Sequence, residues 1–407
     1  MRLFRLLVLL LFIPCVFIIA QQKISFDEAL KLAYQNNIDL QKQSAKIKYA
    51  DVALGESARL PNPMFTYTRE DLNSGSTNYK EWIASGSIPL NFLWNRWSNL
   101  ESKEKSLEAQ KLLYNALKFK VSARVRESYF AFNKYSDLSG RLNNTITHLA
   151  ELAEAAKSRL HEGDISEYEL QRILIEVNKI KATASEIEFL KTKSENNLKL
   201  LIGFNSSENI LTGSVESNTD LKFSEEELVN VALKNRNDLK SFEMLIESEN
   251  SFVSHNRMKI IPDISLSAGY KKQTDNLKGT VFQIDFEVPL FNRNQTAIQQ
   301  SEIEANLLEK ETAFLINKIK TEVSEAYQNY IVNKSLYDER NNIRMDNILN
   351  TAVYSYEHGE IKLVEFIDGI NAFIDGSILS SELEINLHRY YSQLEKAVGI
   401  SLTNLEK

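Results

Sequence analysis

VFQIDFEVPL, residues 281–290, sets apolar and polar side chains in alternation. Phe282, Ile284 and Phe286 share one face of the predicted strand, and Asp285 and Glu287 share the other. DISLSAGY, residues 263–270, alternates in the same way. Strands of about ten residues with one apolar and one polar face are typical of a membrane β-barrel. A soluble sheet with one face on a core would also alternate, and it stays an alternative here.

Aromatic side chains lie along the predicted strands and just past them, where a membrane barrel carries its interfacial girdle. The strands of the first half, around residues 65–68 and 82–90, alternate less strictly than those of the second half. The predicted membrane-strand aromatics are Phe65, Tyr67, Trp82, Trp94, Trp97, Phe282, Phe286 and Phe291.

The chain repeats itself after roughly 200 residues, which indicates a tandem duplication. Each half begins with a capping box, Ser25 with Glu28 and Ser224 with Glu227. Each first helix is expected to run on to a proline region, RLPNP or KIIPD. Two strands follow in each half. A stretch of roughly 65 residues without proline then predicts about 95 Å of helix, and a glycine turn leads into a last long helix.

The predicted domain boundaries follow from these repeats. Residues 1–20 are expected to be a signal peptide, because two arginines precede an apolar run that is short for a spanning helix. A retained anchor is the alternative. Residues 21–203 form the first repeat, 204–223 a linker, 224–399 the second repeat and 400–407 a C-terminal tail. The only cysteine, Cys15, lies inside the predicted signal peptide, so the mature chain is expected to hold no thiol.

Four strands of one chain cannot close a barrel, and an open sheet edge cannot sit in lipid. The membrane interpretation therefore requires several chains to share one barrel. Three copies would supply twelve strands, which makes a homotrimer the simplest solution.

Enzyme chemistry has no support in the sequence. The five histidines show no paired ligand spacing, and no glycine-rich phosphate loop is present. We therefore expect no catalytic residue, no metal site and no cofactor. The net charge of −7 gives no reason to expect a nucleic-acid partner.

In the order and spacing of its motifs the chain resembles the TolC-like outer membrane efflux proteins. The motifs are DEALKLAYQNN at 27–37, LPNP at 60–63, HEGDIS at 161–166, VPLFNRNQ at 288–295 and HGEIK at 358–362. The resemblance covers nearly all of the mature chain. It implies a mainly α fold with a small β part: two tandem repeats, a long α-helical barrel, and four β-strands per chain in a shared trimeric 12-stranded transmembrane β-barrel. The linker would lie at the equator of this helical tunnel.

The same resemblance implies an acidic aperture. In the family, two acids just after the second glycine turn ring the closed periplasmic end, and the match places them at Glu365 and Asp368. Their spacing puts both carboxylates on one helix face. Three copies would bring six acids around one axis, and such a ring attracts cations. Ordinary solvated helix acids are the alternative.

The glycine turns themselves, at Gly163 and Gly359, become the periplasmic tips in this interpretation. Tyr356 matches a tyrosine that helps to close the tip in the family. The family's arginine position is Ile361 here, which puts an ionic lock in doubt; Lys362 is a possible substitute, with Glu169 as its partner. The turn at Gly163 would form the outer wall of the gate and a docking surface for an adaptor.

The leading functional hypothesis is a passive outer-membrane channel-tunnel for efflux or secretion. Its implied partners are two further copies, outer-membrane lipid, a periplasmic adaptor (membrane fusion) protein and an energised inner-membrane pump. Its helical tunnel would lie in the periplasm, and the cargo stays open between metal, drug and protein. The main alternative is a periplasmic coiled-coil scaffold or adaptor without a pore; a surface-binding adhesin or toxin-like rod is another.

Overall fold

The computed structural model describes residues 22–205, 210–213, 219–341 and 348–405. The predicted signal peptide and Cys15 therefore lie outside the described residues, as do parts of the predicted linker and the last two residues of the tail.

Each half of the chain contains helices, a β-hairpin and further helices in the same order. The helices are α1 (Phe26–Asn36), α2 (Ile38–Ser57), α3 (Phe92–Glu162), α4 (Glu167–Ile202), α5 (Glu225–Asn235), α6 (Asn237–Met258), α7 (Gln295–Asn341), α8 (Ile348–Glu357) and α9 (Leu363–Val398), with a short 3-10 helix at Leu402–Asn404. The strands are β1 (Gln22–Ile24), β2 (Met64–Ser74), β3 (Thr77–Pro89), β4 (Ile210–Thr212), β5 (Asp263–Gln273) and β6 (Lys278–Glu287).

The long helices occur where the lack of proline predicted them. Helix α3 has 71 residues, and α4 and α9 have 36 each. The second long stretch is described as α7 and α8, and residues 342–347 between them lie outside the described part of the chain. Among the helices described, none has the length and apolar character that a bilayer-crossing helix needs.

The first helix of each half is broken, which the sequence did not predict. Both capping boxes form as expected, with the Ser25 and Ser224 hydroxyls accepting from the backbone N–H of the glutamate three residues on. The prediction of one helix up to the proline region was wrong, however. The backbone is extended at Asn37 (ψ 122°) and at Arg236 (ψ 118°), and a new helix begins at the next residue in each half.

The chain folds into two compact units, and each unit takes segments from both halves of the sequence. Unit 1 comprises Met1–Asn37, Val121–Leu221 and Gln328–Gln393. Unit 2 comprises Ile38–Lys120, Lys222–Tyr327 and Leu394–Lys407. The division is therefore different from a simple split between two sequence repeats.

The core of unit 1 is a packed set of apolar side chains from α3, α4, α8 and α9. Buried members include Leu142, Ile173, Ile180, Ala352, Phe366 and Ile370. Along α3, α4 and α9 the buried members recur about every three or four residues, which places them on one face of each helix.

Unit 1 also contains a two-stranded parallel sheet of β1 and β4, in addition to the four predicted strands. Each strand has three residues, too few for alternation to be visible in the sequence. The buried Tyr129 hydroxyl holds this sheet in place, because it donates to Ile24 O (2.9 Å) and accepts from Gly213 N (2.9 Å).

Unit 2 contains a four-stranded antiparallel sheet in the order β2-β3-β5-β6. The two hairpins of the sequence thus lie side by side, joined by β3 and β5. Strand β6 ends at Glu287, earlier than the alternating pattern suggested, ahead of Pro289, which has no N–H to donate.

Candidate functional site

The register of the four-stranded sheet collects the predicted apolar residues on one face. Residues directly opposite in an antiparallel pair share a face. One such row joins Tyr67, Ala84 and Tyr270, and the next joins Gly86, Ala268 and Phe282. Members of this face from all four strands are Phe65, Tyr67, Trp82, Ile88, Ile264, Leu266, Tyr270, Phe282, Ile284 and Phe286.

This apolar face is exposed. Phe65 is 83% exposed, Phe282 76% and Phe286 61%. Large aromatic side chains with such exposure have no core against them, which disfavours the alternative of a soluble sheet packed on a core. Trp82 lies between Tyr67 (ring centroids 6.2 Å apart) and Tyr270 (5.8 Å), so an aromatic row crosses three strands.

The opposite face of the sheet is polar. Ser87, Ser267 and Gln283 form one connected register set there, and Asp285 and Glu287 continue the polar face along β6. The two faces thus differ in chemistry over most of the sheet, as the alternation in the sequence predicted.

Three of the predicted aromatics lie beyond the strands. Trp94 and Trp97 lie in the first two turns of α3, and Phe291 follows β6 and is 94% exposed. The Arg96 guanidinium lies 5.8 Å from the ring of Trp97, which is itself exposed.

Both edges of the sheet are open. Strands β2 and β6 are the outermost strands, and among the described residues neither edge pairs with a further strand. Unpaired backbone N–H and C=O groups on two edges that border an exposed apolar face are a template for pairing with another chain.

The second candidate region is the pair of glycine turns in unit 1. Gly163 ends α3 with φ +84°, and Gly359 ends α8 with φ +72°. Glycine adopts this left-handed conformation without a side-chain penalty, which lets the chain reverse. The residue after each glycine donates back to the helix, Asp164 N to Arg159 O (2.9 Å) and Glu360 N to Ser355 O (2.8 Å). The two turns therefore have the same geometry.

Helix α4 begins with a third capping box, which the sequence analysis overlooked although its Ser-x-x-Glu spacing is visible. The Ser166 hydroxyl accepts from Glu169 N, and the Glu169 carboxylate accepts from Ser166 N (2.8 Å). Helix α9 shows half of this arrangement. The Glu365 carboxylate accepts from Lys362 N (2.8 Å), so Glu365 caps its own helix.

Glu365 and Asp368 are both exposed on α9, three residues apart, as predicted for residues on one helix face. Between them lie Phe366 and Ile367, which are buried in the unit 1 core. The acids thus project from the side of α9 that is turned away from that core.

Tyr356 packs flat on Phe366, with ring centroids 4.6 Å apart. Burial raises the pKa of the Tyr356 phenol; nearby Arg159 acts to lower it and Glu169 to raise it. Phe366, which the sequence analysis did not single out, is therefore the residue that positions the predicted gate tyrosine.

Glu169 and Lys362 line one pocket of about 500 Å³ between the two turns, together with Tyr356. Among the described residues they form no ion pair, and the Glu169 carboxylate is engaged by Ser166 instead. Ile361 packs partly buried against the unit 1 core.

Comparison with solved structures finds this fold in outer membrane channels. The CmeC outer membrane channel of Campylobacter jejuni matches with a TM-score of 0.76 at 15% identity, over 94% of this chain and 88% of that one. CusC matches with a TM-score of 0.74 at 17% identity, over 92% of both chains. A membrane protein from Pseudomonas aeruginosa gives a TM-score of 0.76 at 15% identity, over 92% of both chains.

No protein-family model and no curated protein matches the chain. At these low identities the solved structures establish the fold, and they cover nearly the whole described chain. The chain therefore has the fold of the TolC-like outer membrane channels, as its motifs predicted.

Proposed function

We propose that this chain is a passive outer-membrane channel-tunnel for efflux or secretion. The observation that carries the proposal is the four-stranded sheet: one exposed apolar face, one polar face and two open edges. Lipid is the solvent that suits the apolar face, and a water-filled lumen suits the polar face.

The open edges support a homotrimer. Backbone groups at an unpaired edge cannot be satisfied in lipid, so the sheet must close. Edge β2 of one copy pairs with edge β6 of the next in this proposal, and three copies give twelve strands, an even number within the usual range for such barrels. The helices then form the tunnel in the periplasm.

The partners follow from the lack of an energy source in the sequence. A passive conduit depends on an energised inner-membrane transporter, reached through a periplasmic adaptor protein. We assign the adaptor contact to the turns at Gly163 and Gly359. Both glycines are exposed, and a Cβ added at either one would meet open space within 4 Å in the described structure.

The aperture is assigned to Glu365 and Asp368. Six carboxylates around one axis attract cations and bind multivalent ones best, since the interaction grows with the charge on the ion. Glu365 also caps its helix by accepting from Lys362 N. A change of Glu365 to alanine would remove this cap together with the charge, so a test of the charge needs a substitution that keeps the cap.

The channel itself is tested with purified full-length protein. We expect extraction from the outer membrane only with detergent, a trimeric mass in detergent, and single-channel currents in planar bilayers. A monomer that stays soluble in buffer without detergent and carries no current would contradict the channel and favour the periplasmic scaffold.

The aperture is tested with the Glu365→Gln, Asp368→Asn double variant, in which glutamine keeps the capping geometry. We expect block of the current by Mg²⁺ to weaken about tenfold, because the ring loses its charge. Glu162→Gln, an exposed acid at the end of α3, is the matched control and should leave the block unchanged. Equal block in the double variant and the native protein would remove the aperture assignment while leaving the channel intact.

A further inference from the structure

The polarity of the sheet inverts near its hairpin turns. The row formed by Arg69 and Trp82 is the last one with a large apolar residue on the apolar face. One step further, Asp71 and Lys80 oppose each other on that same face. The apolar band therefore ends at Trp82, and charged side chains follow it toward the turns.

Near the same hairpin turn, the polar face carries apolar residues instead of polar ones. Leu72 and Tyr79 oppose each other on this face, beyond the row of Glu70 and Glu81. Leu72 is 61% exposed and Tyr79 57% exposed. Two large apolar side chains thus lie side by side and exposed on a face that is otherwise mostly polar.

The second hairpin places a third apolar residue at the same end. Gln273 N donates to Leu277 O (2.9 Å), so Leu277 opposes Gln273, which in turn opposes Glu81. This register position belongs to the polar face, and Leu277 is 62% exposed. Just below, Lys271 forms an ion pair with Glu81, so the three apolar residues border on paired charges.

The open edges indicate what covers these residues. Leu72 lies on β2 and Leu277 directly precedes β6, and these are the two edge strands of the sheet. If copies of the chain close the sheet, the β6 edge of one copy adjoins the β2 edge of the next. The apolar residues of one copy then lie beside those of the next copy, and together they form a ring at the hairpin end of the barrel.

We infer that the barrel has an apolar collar on its lumen side, at the hairpin end. Each copy of the chain contributes Leu72, Tyr79 and Leu277, which adjoin the same residues of the neighbouring copies. This inference rests on the proposed function. An apolar ring between polar walls offers hydrated solutes no hydrogen-bond partners, and its bulky side chains restrict the passage of large solutes while small ions still pass. The collar is thus a second barrier, separate from the acidic aperture.

Polymer exclusion in planar bilayers tests the collar. Polyethylene glycols of increasing mass are added to one side of the channel at a time, and the largest polymer that enters and lowers the current is recorded. In the Leu72→Ser, Tyr79→Ser, Leu277→Ser variant we expect this limit to rise about twofold in polymer mass from the hairpin side. From the other side, where polymers meet the aperture first, the limit should stay unchanged.

Asp71→Ser is the matched control, because Asp71 neighbours Leu72 on the opposite face of β2, and it should leave both limits unchanged. All three collar residues are exposed, so the substitutions should not impair folding. If the triple variant does not assemble, Tyr79→Ser alone gives the same comparison.

The collar would be overturned if the triple variant admitted no larger polymer from the hairpin side than the native protein does. An equal change in the Asp71→Ser control would overturn it as well, and in both cases the channel would stand. A native protein that carries no current would overturn the proposed function itself, and the collar with it.

Discussion

His388 on α9 is a buried histidine that belongs to no recognisable sequence motif. Its ring stacks on Phe130, with centroids 3.8 Å apart, and it is 7% exposed. Burial, together with the nearby charges of Lys134 and Arg126, lowers the pKa of His388 to about 4. The imidazole is therefore neutral in the folded chain at any pH near neutrality.

This lowered pKa predicts acid sensitivity. An unfolded histidine titrates near 6.5, so between about pH 6.5 and 4 the unfolded chain holds more protons than the folded one. Its contribution to the free energy of unfolding is present above pH 6.5 and falls with pH, by about 2 kcal/mol at pH 5. The fall in apparent melting temperature from pH 7.5 to 5 should be smaller in His388→Phe, which keeps a stacked ring.

His148→Phe is the control, because His148 is exposed on α3. It should melt with the native pH dependence. An identical pH dependence in His388→Phe and the native protein would show that this histidine does not set the acid sensitivity.

At the scale of elements, the breaks in the first helices are the clearest departure from the sequence prediction. At the break between α5 and α6, the buried Arg236 binds Asp238 (2.6 Å), Glu322 (2.5 Å) and Ala397 O (3.2 Å). Burial would raise the pKa of Asp238, but the hydrogen bonds and charge of Arg236 outweigh it and lower that pKa.

The break between α1 and α2 uses a similar arrangement. Asn36 Nδ2 donates to Ile202 O (2.9 Å) at the end of α4, and Gly203 follows with φ +78°. A Cβ at Gly203 would lie 2.5 Å from Asn36 Cβ, so the two segments approach too closely for any side chain there. In both halves the end of the last helix thus holds the break in the first.

Substituting Arg236 should be costly. Arg236→Met leaves the buried Asp238 carboxylate without its partner, and we expect a loss of about 3–5 kcal/mol in the free energy of unfolding. Arg257→Met near the end of α6 is the matched control: Arg257 pairs with Glu302 (2.6 Å) but is exposed, and such pairs contribute about 0–1 kcal/mol. Urea unfolding in detergent measures both variants. Losses of equal size would contradict a special role for Arg236.

At the scale of the whole molecule, the two faces of the sheet determine where the chain can reside. An exposed apolar face of aromatic and branched side chains is unfavourable in water, and lipid removes this cost. In the proposed channel the same argument requires copies of the chain to associate, since one sheet with two open edges is incomplete in a membrane.

Two adjacent residues on β6 test whether the apolar face of the sheet contacts lipid. Ile284 lies on the apolar face and Gln283 on the polar face. A lysine on the lipid face of a barrel costs about 2–4 kcal/mol at mid-membrane, whereas a lumen lysine is tolerated. We therefore expect Ile284→Lys to reduce trimer in the outer-membrane fraction strongly and Gln283→Lys to leave it near the native level. Equal amounts of trimer in both variants would argue against a lipid-facing position for Ile284.

Local patterns were sufficient for much of the fold. A capping box involves residues three positions apart, and strand alternation involves neighbours, so Ser25, Ser224 and the strand around Phe282 could be identified directly. The glycine turns at Gly163 and Gly359 were identified for the same reason, since glycine adopts the left-handed backbone of such a turn without a side-chain penalty.

Local sequence patterns therefore predict the long helices, the strands of the four-stranded sheet and the chemistry of each face of that sheet. The helix breaks, the small β1–β4 sheet, the capping role of Glu365 and the apolar residues at the hairpin end emerge only from the folded chain. The reason is physical: a break at Arg236 depends on Glu322 and Ala397, and the aromatic row depends on Trp82 meeting Tyr270. Such contacts join residues far apart in the chain, and no local pattern records which of them will meet.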